Sequence, residues 1–212
     1  MKFEKVSRET WNEFFKNVDS TEALVHRGYR LDDEDGQITQ EAIDKAYDNI
    51  KLPRRATAGS AGYDFYAPIG IYALPVTDLQ FSRSYRKYII PTGIKVDMSM
   101  CPIIEHMRPT IEGPIVYTEP RAVPVLQLYP RSSYGTKYGM SLLNTVGIID
   151  KDYYNNPKNE GHIIVMAEFH DKVIIEPGDA FCQGVFTVAW LTENDEPVES
   201  ERTGGFGSTD KK

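Results

Sequence analysis

Three consecutive residues, Arg131, Ser132 and Ser133, offer a guanidinium, two hydroxyls and main-chain N–H groups at the end of an apolar run. That combination suits phosphate oxygens, though the same tripeptide alone also suits a solvated turn. Further along, Asp150 closes the apolar run Val146–Ile149 and heads the triplet Asp150-Lys151-Asp152. Burial against an apolar strand raises a carboxylate's proton affinity, which fits a general base; a hairpin turn uses Asp as readily. Asp64 is the single acid of the small-residue segment Ala56–Ala67 and on its own reads as a turn or surface residue. Gln183 follows the turn Pro177-Gly178-Asp179 and brings an amide able to donate and accept. Near the C-terminus, glycines surround Phe206. Such a stretch fits a loose tail, or a lid whose ring stacks on a base.

Groups of this kind act only when a scaffold fixes them. Short runs rich in Val, Ile, Tyr and Phe, bounded by Gly or Pro, predict strands over Gly62–Ala67, Tyr88–Val96, Val123–Tyr129 and Gly139–Leu143. The same pattern returns at His162–His170, Lys172–Glu176 and Phe181–Leu191. No helical run separates them, so a βαβ layout is disfavoured and the body reads as all-β, a sandwich or barrel. The proline-rich stretch Met98–Pro124 reads as an extended loop or an irregular hairpin.

Residues 1–50 read differently. A short strand at Lys2–Val6 precedes Trp11, Phe14, Phe15 and Val18, spaced as one stripe of a helix with Ser7 as its N-cap. A second helix follows Thr39, carries Ala42, Ile43, Ala46, Tyr47 and Ile50 on one side, and must stop before Pro53. Between them the acidic Asp32–Gly36 is a loop. The two helices either pack on the chain's own core or form a docking surface for a protein partner. The organisation is thus an acidic, partly helical segment 1–50, a β body 51–196 and a Gly-rich arm 197–212.

The net charge is −7, and residues 1–50, with twelve acids against seven bases, carry most of it. The chain has no overall basic footprint, which disfavours nucleic acid as a partner. A phosphorylated small molecule needs only a few converging bases or a divalent cation. Cys101 and Cys182, with four histidines at no ligand-like spacing, make neither a disulfide framework nor a zinc set. No apolar run is long enough to span a membrane, and the N-terminus lacks an apolar signal region, which points to the cytoplasm.

Taken in order, LPRRATAGSAGYDFYA, TGIKV, PRSSYGTKYGMSLLN, GIIDKDY, GDAFCQ and GGFGSTD closely resemble the motifs of the trimeric deoxyuridine triphosphatases (dUTPases), over roughly residues 51–210. The resemblance implies a jelly-roll-like, distorted β barrel to which the helical N-terminal segment is an addition. It also implies a homotrimer that hydrolyses dUTP to dUMP and pyrophosphate, each site drawing its phosphate segment, uracil hairpin and arm from three different chains.

By position, the resemblance makes Asp150 the general base that activates water for attack on the α-phosphorus. Asp64 becomes the acid that helps position, through water, a Mg²⁺ held mainly by the triphosphate. Arg131, Ser132, Ser133 and Gln183 fall on the phosphate side. Asn144, Gly147 and the backbone of Ile148, Ile149 and Ile164 form the hairpin that reads uracil. Tyr153 packs on the deoxyribose and leaves no room for a 2′-hydroxyl. Arg202, Phe206, Gly207 and Ser208 belong to the arm, with Phe206 stacking over uracil. The chain departs from the family pattern at Ser133 and Ala180, where Gly and Arg are usual, and in RTGGFG, which is one residue short. Residues 98–124 and 155–160 are insertions. The related dCTP deaminases share the fold, but GIIDKDY and GGFGST favour hydrolysis. A regulatory module that docks a protein through 1–50 or 98–124 is the reading of a different class.

Overall fold

A computed structural model describes residues 1–16, 29–30, 39–73, 87–99, 107–110, 113–116, 122–192 and 194. Val18, the acidic loop at 32–36, Cys101 and the arm with Arg202, Phe206, Gly207 and Ser208 lie outside the described residues. The elements are β1 (Lys2–Lys5), α1 (Arg8–Lys16), β2 (Tyr29–Arg30), α2 (Gln40–Asp48), β3 (Arg54–Arg55), β4 (Tyr63–Tyr66) and β5 (Gly70–Ala73). Next come β6 (Tyr88–Pro91), β7 (Ile94–Asp97), β8 (Met107–Thr110), β9 (Gly113–Val116), β10 (Ala122–Pro130) and α3 (Ser132–Tyr138). The chain continues through β11 (Ser141–Leu142), β12 (Gly147–Asp150), a 3₁₀ turn at Lys151–Tyr153, β13 (Ile164–Glu168), β14 (Val173–Ile175) and β15 (Ala180–Trp190). Among the described residues, no helix is long and apolar enough to cross a membrane.

The fold is mostly β with few helices, and its antiparallel sheets share one core, in keeping with a jelly-roll-like body. The largest sheet has the order β12-β10-β15-β4-β3. Its spine is the pair β10 and β15, in register from Ala122 opposite Trp190 to Pro130 opposite Cys182. Smaller sheets, β11-β13-β6 and β14-β5-β2, complete the body. Within the proline-rich insertion, β8 and β9 pair antiparallel, with Met107 opposite Val116 and Thr110 opposite Gly113. The run Tyr88–Val96, predicted as one strand, is two. Gly93 takes a left-handed φ of 70°, and a Cβ there would lie 2.3 Å from Cδ1 of Ile50. The close approach of Ile50 therefore demands glycine, and the glycine breaks the strand.

The N-terminal segment is built into this core. Ser7 caps α1 by accepting the Thr10 N–H at 3.1 Å, and Thr39 caps α2 by accepting the Ala42 N–H at 3.2 Å. β1 pairs with β7, which lays the Phe3 ring against Tyr63, Phe65 and Phe186. Trp11 is fully buried and Phe15 nearly so, and the Trp11 indole donates to the Ile43 carbonyl at 3.0 Å. Both belong to the same cluster as Phe65, Ile90, Ile94, Leu126 and Phe181. The cover for the α1 stripe is the chain's own core.

Under α1 sits His162, 1% exposed, between the rings of Trp11 and Phe14. Its Nε2 accepts the Gly93 N–H at 2.9 Å, a bond that requires the neutral ring. Burial pushes the imidazole down to about 3, with nearby Glu160 opposing, from an ordinary 6.5. Between those values the unfolded chain binds a proton that the folded chain refuses. Stability from this group is therefore full above pH 6.5 and falls as the pH drops, by about 1.4 kcal/mol per pH unit, until pH 3. We expect His162→Gln, which keeps an acceptor for Gly93, to flatten the pH dependence of the urea midpoint between pH 6.5 and 4.5. A slope equal to that of the parent would show that His162 does not cause it.

Candidate active site

The tight turn before β12 is closed by Thr145 donating to the Leu142 carbonyl at 2.9 Å and Val146 to that of Asn144 at 2.7 Å. Strand β12 then runs along β10, with Gly147 opposite Leu128 and Asp150 opposite Val125. Beside it opens a pocket of about 340 Å³, lined by Asn144, Gly147, Ile148, Ile149, Tyr153 and Ile164, within the range of small-molecule sites. Every residue assigned to the uracil hairpin and the sugar contact is therefore in one place. Leu128, Leu142, Val146, Val165 and Met166 complete the wall; as ordinary aliphatics they carry no functional signal in the sequence. Ile148 is 51% exposed at the rim.

Two features fix this pocket's shape. Gly147 lies so close to β10 that a Cβ would stand 3.0 Å from Cβ of Leu128. Tyr153 is buried, and its hydroxyl donates to the His162 carbonyl at 3.1 Å. Asp150 is half-buried at the end of β12, where the 3₁₀ turn begins; it neighbours the pocket along the chain without lining it.

The phosphate-type residues gather elsewhere. Arg131 Nε lies 3.1 Å from Asp64 Oδ1, and Arg131 Nη1 donates to the Ala180 carbonyl at 3.2 Å. That second bond uses main chain, so it does not depend on which side chain stands at 180. Gln183 faces Asp64 across β15 and β4 and donates to the Pro130 carbonyl at 3.3 Å. Among the described residues no three His, Cys, Asp or Glu side chains converge as a metal site; Asp64 offers one hard oxygen donor of the kind magnesium takes.

Ser132 and Ser133, read from sequence as a strand end or turn, instead open α3. Arg131 is the N-cap, and its carbonyl accepts the N–H groups of Tyr134 and Gly135, each at 2.9 Å. Both serines are exposed, in the first turn, whose amides have no acceptor inside the helix. Gly139, left-handed at φ 58°, ends the helix. A glycine one step after Tyr138 was the available signal for it. Burial foremost, and the neighbouring Asp179 next, push the Tyr134 phenol up to about 12, so it stays a neutral hydrogen-bonding group.

One chain does not bring all the expected residues together. Asp150 is opposite Val125, and Arg131 lies six residues further along the extended line of β10, roughly 20 Å away at the usual strand rise. The pocket reaches β10 at Leu128 and Gln183 is opposite Tyr129, so it is Asp150, rather than the pocket as a whole, that the strand holds away from Arg131. Arg202 and Phe206, as noted, are outside the described residues.

A β body with this pocket and this cluster has close counterparts by sequence. The chain is 41% identical over 163 residues to the deoxyuridine 5′-triphosphate nucleotidohydrolase of Lactococcus lactis subsp. lactis (strain IL1403), covering 76% of this chain and 88% of the relative. The enzyme of the same name from Hahella chejuensis (strain KCTC 2396) is 33% identical over 180 residues, 81% of this chain and 95% of the relative. The solved dUTPase from Streptococcus mutans is 31% identical, matching 79% of this chain and 99% of that one with a TM-score of 0.48. No protein-family model matches the chain. On the two sequence relationships, the chain belongs to the dUTPase family.

The tight contact at Gly147 gives a direct check on the pocket wall. Gly147→Ala must part β12 from β10 by a few tenths of an ångström, and we expect a loss of about 1–3 kcal/mol in urea unfolding. An unchanged midpoint would mean that the two strands are not so closely packed.

Proposed function

We propose that the chain hydrolyses dUTP to dUMP and pyrophosphate, at sites shared between copies of the chain in a homotrimer. The observation that carries this reading is the pocket, into which Asn144, Gly147, Ile148, Ile149, Tyr153 and Ile164 converge as a dUTPase uracil hairpin requires. The roughly 20 Å between Asp150 and Arg131 along β10 supports the shared site, because a nucleotide's α-phosphorus must meet both groups at once. Asp150 of one copy and Arg131 of another would resolve that distance.

In this scheme main-chain groups of β12 and the Asn144 amide read the base edge, rejecting cytosine by reversed donor and acceptor pairing. Tyr153 lies against the deoxyribose. Asp150 takes a proton from water as the water oxygen bonds to the α-phosphorus. The bond from that phosphorus to the oxygen bridging it to the β-phosphorus breaks, and pyrophosphate leaves with the electron pair. Arg131, with the first turn of α3 at Ser132 and Ser133, neutralises the phosphate oxygens, aided by Arg202 and Gln183. Magnesium, when bound, spreads the charge of the triphosphate; Asp64 is the residue that would hold it, through water. Arg131 keeps Asp64 oriented for that task. Phe206 stacks over the base, with Gly207 and Ser208 beside it. Release of dUMP and pyrophosphate into the cytoplasm completes the cycle.

Asp150→Asn should lower turnover about 10²–10⁴-fold while dUTP affinity stays within about tenfold. Pyrophosphate release alongside calorimetric binding measures both, and near-normal turnover would remove Asp150 from the role. In the same assay dCTP, dTTP and UTP should be poor substrates, dCTP should yield no dUTP, and EDTA should stop the reaction.

Removing Glu201–Lys212 should leave the melting temperature nearly unchanged and cut turnover, since base–aromatic stacking is worth about 1–3 kcal/mol. A truncated chain that hydrolyses dUTP at the full rate would contradict the lid.

A further inference from the structure

Tyr153 is gripped by the insertion that follows it. Its hydroxyl donates to the His162 carbonyl and accepts Nδ2 of Asn159 at 2.9 Å. The Asn159 amide has one orientation open to it. Its Oδ1 receives Nδ2 of Asn156 at 2.7 Å and the Gly161 N–H at 3.2 Å, which leaves Nδ2 for the phenol. Asn156, 4% exposed, donates to the Tyr153 carbonyl at 2.8 Å. Its Oδ1 accepts the N–H groups of Lys158 and Asn159.

The loop backbone is equally constrained. Asn155, Glu160 and Gly161 all take left-handed φ, of 54°, 55° and 79°. At Gly161 a Cβ would fall 2.5 Å from the Tyr153 carbonyl oxygen. Glu160 bolts the end of the loop to the N-terminal segment. It accepts from the Ser7 N–H at 3.1 Å, the Ser7 hydroxyl and the Thr10 hydroxyl at 2.6 Å, and pairs with Lys95 at 3.0 Å. Burial pushes this carboxyl upward, but those bonds outweigh it and hold it at about 2.

We propose that Asn159 is a positioning residue for sugar selectivity: by fixing the Tyr153 hydroxyl it holds the ring where a 2′-hydroxyl has no room. The proposal rests on the reading of Tyr153 as the deoxyribose contact. A phenol that already donates and accepts loses a buried hydrogen bond if its ring tilts away, so the wall facing the sugar is rigid. Without the Asn159 donor the ring gains a direction in which to yield, and a ribose can be admitted.

The experiment is calorimetric binding of dUMP and of UMP to the full-length parent, Asn159→Ala, Tyr153→Phe and the double variant. The parent should prefer dUMP. Each single variant should lose about fivefold or more of that preference, and the double should lose no more than the worse single, because the bond that Asn159→Ala breaks is one of the two that Tyr153→Phe breaks. Tyr153→Phe removes the same tether while leaving the loop's own hydrogen bonds in place, and it carries the test should the alanine variant not fold. An unchanged dUMP preference in the Asn159 variants, or losses that multiply in the double, would overturn the proposal. A parent that binds dUMP and UMP equally would instead remove Tyr153 as the sugar contact, and the proposal with it.

Discussion

Strand β10 has two neighbours with different tasks, and its extended backbone sets the distance from Asp150 to Arg131. On one edge it holds β12 from Gly147 to Asp150, and with it the nucleoside-sized pocket. On the other it is paired with β15 for its whole length. At its end it hands the chain to Arg131, which reaches Asp64 on β4. An extended strand cannot fold back on itself, so the separation of Asp150 from Arg131 is a property of the backbone. Side-chain changes cannot repair it. The proposed sharing of the site between copies draws on that distance.

The all-β body was legible because its strands are short, rich in β-branched and aromatic residues, and punctuated by Gly and Pro. Both N-terminal helices were legible because Trp11, Phe14 and Phe15 keep helical spacing and because Ser7 and Thr39 are strong caps. What escaped was decided by contacts rather than by pattern. The break at Thr92–Gly93 comes from Ile50, a residue over forty positions earlier that fills the space a side chain would need. Helix α3 was hidden by Arg-Ser-Ser, whose serines suit a turn and a helix start alike. The hairpin residues of the pocket could be named from their motif. The asparagines behind Tyr153 could not, since their role is visible only once Gly161, Asn156 and Asn159 are seen closing around that tyrosine's carbonyl and hydroxyl.

The acidic front of the chain is also clearer as physics than as composition. Its described charged side chains are exposed or half-buried, while Val6, Trp11, Phe15, Ile43, Ala46 and Ile50 belong to the common core. Tyr154 donates to Glu4 at 2.7 Å, and Glu160 caps the start of α1 through Ser7 and Thr10. The segment before the β body and the loop inserted within it therefore stabilise one another, and either alone would leave polar groups or aromatic rings without cover.

That mutual dependence has a cost during synthesis. Ser7 and its partner Glu160 are 153 residues apart in sequence. At usual elongation rates the ribosome needs roughly 8–30 s to span that gap. Throughout that interval the nascent α1 stripe has no Glu160 to cap it and no His162 to pack against. Long-range pairing of this kind slows folding, and the exposed Trp11 and Phe15 are the sort of surface that chaperones hold. Residues 1–16 thus leave the ribosome long before the neighbours they pack against.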